Sequence, residues 1–191
     1  NIEIMFGTVP KHNLCDLIYQ GKSITDIITW GPMDIGFISG GSGIAGLSNL
    51  SRDYLNYIIQ NLARLDAIAD VIIIDTGSNI FDYTISAMLA ATDILALSTC
   101  DVVSAKRIDG VLEDILLNVD GFDRSRMKLL INRYDPTFNI TPEELSGVLQ
   151  MPLIGVIPDC REITNVNNGG NSVFYGNTRS TDKQKAFANA V

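Results

Sequence analysis

A run of four β-branched apolar residues, Val71–Ile74, leads directly into Asp75 and constrains the fold more than any other stretch. Such a run predicts a central strand of a parallel sheet, buried on both faces. Because α/β proteins place ligands at the carboxyl edge of such a sheet, we expect Asp75 to stand beside a ligand. A carboxylate there can hold magnesium through its water shell, and Gly77 lets a backbone amide approach a phosphate. The alternative is a strand that ends in a helix-capping aspartate.

Strands and helices alternate along the rest of the chain. Apolar runs predict three further strands, at Ile94–Ser98, Met127–Ile131 and Leu153–Ile157, separated by gaps long enough for helical crossovers. This order predicts an α/β fold, a doubly wound, mostly parallel, Rossmann-like three-layer sheet with Val71–Asp75 at its centre. Since the carboxyl ends of parallel strands share one edge, we expect Asp75 to lie there with the residues that follow the later strands.

Composition narrows the class of protein. The 191 residues suit one domain, and the net charge of −8 argues against a nucleic-acid surface. No apolar stretch approaches the ~20 residues needed to span a bilayer. The three cysteines lack metal-ligand spacing, which favours a reduced, cytoplasmic protein. The chain starts at Asn1 rather than at methionine, so we expect a strand and its loop to precede it.

Two glycine motifs offer other phosphate loops. Gly21-Lys22-Ser23 matches the end of a P-loop, but Asp16 stands where the first glycine belongs, and a helix rather than a strand precedes it. Gly41–Gly46 matches the dinucleotide fingerprint G-x-G-x-x-G after a short predicted strand. The next strand-end acid, Asp75, comes later than the ~20 residues expected. A dinucleotide-binding oxidoreductase and a plain connecting loop both remain open for this stretch.

Several motifs together resemble the MinD/ParA family of P-loop ATPases, which carry a deviant Walker A motif. Asp75-Thr76-Gly77 is similar to that family's Walker B and switch II segment. The other similar segments are Ala91–Ile94 with Ser98–Lys106, Leu130–Pro136, Gly155–Asp159 and Asn167–Gly170. Within the family, Val9-Pro10-Lys11, Gly31-Pro32 and Ser39–Ile44 resemble the flagellar-number regulators (FlhG, FleN or YlxH). The pilus-localisation relatives CpaE and TadZ are the second choice.

The resemblance implies a single MinD-like, P-loop NTPase-like ATPase domain over residues 1–191, truncated at its amino end and at its carboxyl end. The Walker A loop with its two lysines and the switch I aspartate are expected before Asn1. A membrane-binding amphipathic helix is expected after Val191. Ser78-Asn79 departs from the alanine and glycine usual after the switch II glycine.

The resemblance also implies ATP or ADP with Mg²⁺ as ligands, hydrolysis being a matter of positioning and charge stabilisation. Asp75 would be the catalytic residue that holds magnesium-bound water, and Gly77 would sense the γ-phosphate.

On the adenine side, the resemblance implies that Asn132 hydrogen-bonds the edge of the base, a task that an amide suits. Arg133 would pack on the base or pair with nearby acids. Pro158 and Asp159 would line the pocket around the base. Two alternatives stay open: Asn132 as a strand-end residue that satisfies loop amides, and Asp159 as a helix cap.

The function implied is a hydrolase that regulates the placement or number of a membrane-associated machine, with flagellum biosynthesis first. It would act as an ATP-dependent homodimer in the cytoplasm, with peripheral contact at the inner face of the membrane. Its partner would be the GTPase FlhF or a flagellar or pilus basal component, and not nucleic acid.

Two alternative functions remain. One is a CpaE/TadZ-like scaffold with weak or no ATPase activity, and the other is the dinucleotide-binding oxidoreductase. The sequence before Asn1 would discriminate among them.

Overall fold

The structure, a computed structural model, describes residues 2–40, 50–77, 81–160 and 163. The chain divides into two compact units, Asn1–Ala90 and Ala91–Val191, and each is described by itself. None of the described helices is both long and apolar enough to cross a membrane.

The N-terminal unit is mainly helical. Its elements are α1 (Ile2–Met5), α2 (Leu14–Tyr19), β1 (Thr29–Trp30), β2 (Gly36–Phe37), α3 (Arg52–Leu62) and α4 (Asp82–Ala90), with short 3₁₀ turns at Pro32–Asp34 and Ala63–Ala67. Asn13 begins α2 with a capping box, in which Asp16 accepts the Asn13 backbone N–H. Strands β1 and β2 form an antiparallel pair. The core of the unit is a cluster of four buried residues: Leu17, Ile24, Ile27 and Leu65.

The segment Val71–Asp75 does not form the predicted central strand. It has no regular secondary structure, and no described strand pairs with it. Val71 and Ile73 are 75% and 87% exposed, while Ile72 packs against the core cluster. An extended run is stable as a buried strand only when neighbours satisfy its backbone groups and cover its faces. The prediction of a strand buried on both faces is therefore wrong for this segment.

The C-terminal unit contains a parallel sheet. Its elements are β3 (Ile94–Ser98), α5 (Val102–Asn118), β4 (Met127–Tyr134), α6 (Pro142–Leu149) and β5 (Leu153–Pro158), with a 3₁₀ turn at Arg124–Arg126. The strand order is β3-β4-β5, and both pairings are parallel. All three strands start where the apolar runs predict, and β4 continues three residues further, to Tyr134. The parallel strands predicted in this half of the chain are confirmed.

Helix caps and the burial of alternating strand residues stabilise this unit. Asp101 caps α5, and Thr141 caps α6 through a capping box with Glu144. Helix α5 contacts β3, and α6 contacts both β5 and α5. The largest fully buried side chains are Leu112, Ile115, Leu129, Ile131 and Leu149. Leu95 and Leu97 lie on the opposite face of β3 from its buried residues and remain 57% and 58% exposed.

Candidate functional site

The carboxyl end of β4 carries a β-bulge. The pairing runs from Ile131 with Val156 to Tyr134 with Pro158. Between these pairs, Asn132 and Arg133 oppose the single residue Ile157, so β4 holds one extra residue. Arg133 takes a φ of 57°, in the left-handed region that favours glycine. Bulges of this kind re-aim side chains and are frequent beside binding sites.

Asp159 is tied back to this bulge by two hydrogen bonds. Its backbone N–H donates to the Tyr134 carbonyl oxygen at 2.9 Å. Its Oδ1 accepts a hydrogen bond from Arg133 Nε at 3.2 Å. The pair is largely exposed, so its contribution to stability is small, about 0–1 kcal/mol. Its effect is to hold the chain after β5 against the end of β4.

The structure therefore brings four of the predicted site residues to one edge of the sheet: Asn132, Arg133, Pro158 and Asp159. The half-buried side-chain amide of Asn132 makes no hydrogen bond to another described residue, so it is not used to satisfy loop amides there. An amide in this state offers one acceptor and two donors to a ligand. Arg161 and Glu162, the start of the helix that Asp159 could cap, lie outside the described residues.

An aromatic pair lies beside these residues, and it is not among the site residues predicted from the sequence. The rings of Tyr134 and Phe138 meet edge to face, with centroids 6.1 Å apart and an interplanar angle of 86°. Asp135 shapes the intervening turn, because its Oδ1 accepts hydrogen bonds from the Thr137 backbone N–H and hydroxyl at 2.9 and 2.8 Å. Phe138 is 44% exposed. The signal that could have found the pair is two aromatics flanking the turn residues Asp135-Pro136.

The neighbouring strand β3 ends in a cluster of small polar residues. The Thr99 hydroxyl donates to Asp101 Oδ2 at 2.5 Å, and the Ser104 backbone N–H donates to Asp101 Oδ1 at 2.9 Å. The Thr99 hydroxyl first, and then the Ser104 backbone N–H, hold the pKa of Asp101 below its usual range. A lowered pKa keeps this carboxylate ionised at the N-terminus of α5, where negative charge is favourable.

Asp75 and Gly77 form a turn in the N-terminal unit. The Gly77 backbone N–H donates to Asp75 Oδ1 at 3.0 Å, and Gly77 takes a φ of 69°. Among the described residues, Oδ2 of this exposed carboxylate has no partner. Mg²⁺ keeps several waters and takes one or two carboxylates beside phosphates, so a single exposed aspartate fits a water-mediated contact. No group of three acidic, histidine or cysteine side chains suited to a metal occurs in the described part of the chain.

Comparison with known proteins gives two relatives, while no family model matches. The chain is 29% identical over 166 residues to the antiactivator FleN of Pseudomonas aeruginosa, covering 83% of this chain and 58% of FleN. It is 26% identical over 134 residues to the septum site-determining protein MinD of Neisseria meningitidis, covering 66% of this chain and 49% of MinD. The chain thus spans only about half to three fifths of these relatives.

Solved structures share the fold. A ParA family ATPase from Chlorobium tepidum matches all of this chain and 77% of its own, with a TM-score of 0.79 and 19% identity. MinD from Pyrococcus horikoshii, determined with Mg-ADP, matches 98% of this chain and 75% of its own, with a TM-score of 0.72 and 17% identity. The chain is similar in sequence to FleN and MinD and shares the fold of the solved ParA and MinD structures. The three-layer α/β fold with a parallel sheet, predicted from the sequence, is confirmed.

The two glycine motifs have different outcomes in the structure. Gly21 follows the end of α2 with a φ of 67°, the Lys22 N–H donates to the Asp16 carbonyl, and the Ser23 N–H donates to Asp26. These bonds describe the C-terminal turn of a helix, not a phosphate loop. The Gly41–Gly46 motif lies outside the described residues.

Proposed function

We propose that the intact protein binds Mg-ATP and works as a MinD/ParA-type regulator, with the carboxyl edge of β4 and β5 receiving the adenine base. The observation that carries this proposal is the bulge at Asn132 and Arg133, fastened by the Arg133–Asp159 pair. It leaves an amide at the sheet edge without a described hydrogen-bond partner, at the position where parallel sheets take ligands.

Because adenine is a neutral base, its binding needs hydrogen bonds and apolar contacts but no charged group. The Asn132 amide can donate to a ring nitrogen of the base and accept from its amino group. Pro158 offers an apolar wall with no N–H to satisfy. Arg133 holds Asp159 at 3.2 Å, so that this carboxylate is engaged and does not face the neutral base as a free charge. These groups orient the base and contribute little to phosphate binding.

For the phosphate side we propose roles for Asp75 and Gly77. Mg²⁺, when bound, neutralises developing charge on the phosphates and orients the attacking water. Asp75 is the residue that would hold a magnesium-bound water. The Gly77 N–H donates to Asp75 in this structure. It could donate to a phosphate oxygen only after the turn between these two residues changes conformation.

The cellular role is proposed from the two relatives. Similarity to an antiactivator FleN and to a septum site-determining MinD supports a MinD/ParA-type regulator. The finer role that we propose is control of the placement or number of a membrane-associated machine. We propose flagellum biosynthesis, an ATP-dependent homodimer in the cytoplasm, and a protein partner such as FlhF or a basal component. Membrane contact would be peripheral. The net charge of −8 supports a partner other than nucleic acid.

Calorimetry with Mg-ATP tests the nucleotide-binding proposal. The intact protein should bind, and Asn132→Ala should weaken binding about 5- to 30-fold, the effect of losing one or two neutral hydrogen bonds of ~1 kcal/mol each. Asn118→Ala is the matched control, because Asn118 is an exposed amide of the same unit, bonded only to its own helix at Asp114. Failure of the intact protein to bind would overturn the proposal in favour of a non-hydrolysing scaffold.

A further inference from the structure

We propose that the Tyr134–Phe138 pair is a stacking surface for the purine base, and that Phe138 is the residue that contacts it. This inference rests on the proposed nucleotide-binding function. It adds a binding residue to the adenine side that the motif resemblance does not include.

The position of the pair supports this role. Tyr134 is the last residue of β4, directly after the bulge at Asn132 and Arg133. It pairs in register with Pro158, and its carbonyl oxygen accepts the Asp159 N–H at 2.9 Å. The aromatic pair is therefore continuous with the hydrogen-bonding groups at the same sheet edge.

The turn between the two rings holds Phe138 in place before any ligand arrives. Asp135 Oδ1 takes two hydrogen bonds from Thr137, and the Phe138 N–H donates to the Asp135 carbonyl oxygen at 3.0 Å. The edge-to-face contact with Tyr134 restricts the Phe138 ring further. A side chain that is already ordered loses little entropy on binding, so more of the stacking energy appears as affinity.

The chemistry of the surroundings favours a neutral planar ligand. Phe138 stays 44% exposed although it contacts Tyr134, so it keeps ring surface for a partner. The two nearest acids are engaged, Asp135 by Thr137 and Asp159 by Arg133. A base can stack on an aromatic ring whatever its hydrogen-bonding edge, while Asn132 supplies the directional contact.

The test uses the intact protein, with Mg-ATP and with inorganic triphosphate plus magnesium, a probe that has no base. Phe138→Ala should weaken Mg-ATP binding by about 5- to 140-fold, the range that one base–aromatic stack provides (about 1–3 kcal/mol). Phe138→Trp should restore it, because a larger ring keeps the stack. Affinity for inorganic triphosphate should be the same in all three proteins.

Tyr19→Ala is the matched control. Tyr19 is also exposed and also belongs to an aromatic pair, with Tyr54 at 5.9 Å, but it lies on α2 of the N-terminal unit. It should bind Mg-ATP as the parent protein does.

Each other outcome is decisive. If the parent binds Mg-ATP and Phe138→Ala binds it equally, stacking is overturned while the proposed function stands. Equal losses for Mg-ATP and inorganic triphosphate would assign Phe138 a structural role and overturn stacking as well. If the parent itself binds no Mg-ATP, both proposals fall together. A Phe138→Ala variant that keeps Mg-ATP affinity but loses a protein partner would make the pair a protein interface instead.

Discussion

Arg133 Nε donates to Asp159 Oδ1 across 3.2 Å, from a residue whose backbone sits at a φ of 57°. The left-handed conformation costs a non-glycine residue roughly 1–2 kcal/mol, which is more than the stabilisation by an exposed ion pair. The Arg133–Asp159 pair therefore does not stabilise the bulge enough to offset the backbone strain at Arg133. A strained backbone retained at the end of a strand is a feature that functional sites commonly show.

This strain gives the first prediction. Arg133→Gly removes the left-handed cost and Arg133→Ala does not, while both remove the ion pair. The glycine variant should therefore be more stable than the alanine variant, by about 1 kcal/mol. Urea unfolding of the two variants measures the difference. Equal stability would mean that Arg133 does not hold this conformation in solution.

Asp101 should make stability depend on pH. Its pKa is lowered in the folded protein, chiefly by the Thr99 hydroxyl, so its contribution is present above the unfolded value of about 3.9. The contribution is lost as the pH falls through the lowered folded pKa. Asp101→Ala should cost about 0.5–2 kcal/mol at pH 7, the usual value of a helix N-cap.

Thermal unfolding between pH 7 and pH 2 checks this. The difference between the parent protein and Asp101→Ala should shrink only below about pH 4. A difference that shrinks already between pH 7 and pH 5 would show that another group is responsible.

Burial within the parallel sheet gives a matched pair of leucines. Leu129 is fully buried in β4, while Leu97 on the adjacent strand is 58% exposed. Leu129→Ala should cost about 2–5 kcal/mol, because it removes buried contacts and leaves a cavity. Leu97→Ala should cost less than about 1 kcal/mol. Denaturant unfolding compares them, and similar losses would mean that the exposed face of β3 is covered in solution.

Asp75→Ala should affect ATP turnover but not the stability of the intact protein. Asp75 is exposed, and among the described residues its carboxylate bonds only to the nearby Gly77 N–H. Its removal should therefore change the free energy of unfolding by no more than about 0.5 kcal/mol. If Asp75 orients magnesium-bound water, ATP turnover should be abolished. Steady-state phosphate release, with unfolding measured on the same sample, gives both readouts. Unchanged turnover would remove Asp75 from the mechanism.

The sequence predicts the strands of the C-terminal unit well because their partners lie close by in the chain. Ile94–Ser98, Met127–Ile131 and Leu153–Ile157 pair with one another, so each apolar run there has the neighbouring strand that it needs. Val71–Ile74 has the strongest strand composition of all, yet no described strand pairs with it. Composition measures the tendency to be a strand, whereas burial depends on a neighbour that a local pattern does not reveal.

The positions of the strand-end residues could be predicted from the sequence, but their local geometry could not. Strand-end positions are readable because parallel strands share an edge, which places Asn132 and Asp159 together. The bulge was not readable, because arginine gives no signal for a left-handed backbone as glycine or asparagine does. Phe138 was missed because its contact with Tyr134 depends on the turn at Asp135, and two aromatics four residues apart are equally common on the buried face of a helix.

The exposed ribbon Val71–Ile74 also has a consequence for handling this polypeptide. It is β-branched throughout, uncharged and free of proline, and no described strand satisfies its backbone. These are the properties of segments that nucleate intermolecular β-pairing. Concentrated solutions of the 191-residue chain should accumulate cross-β aggregates that bind thioflavin T, and a lysine in place of Ile73, which is 87% exposed, should delay them.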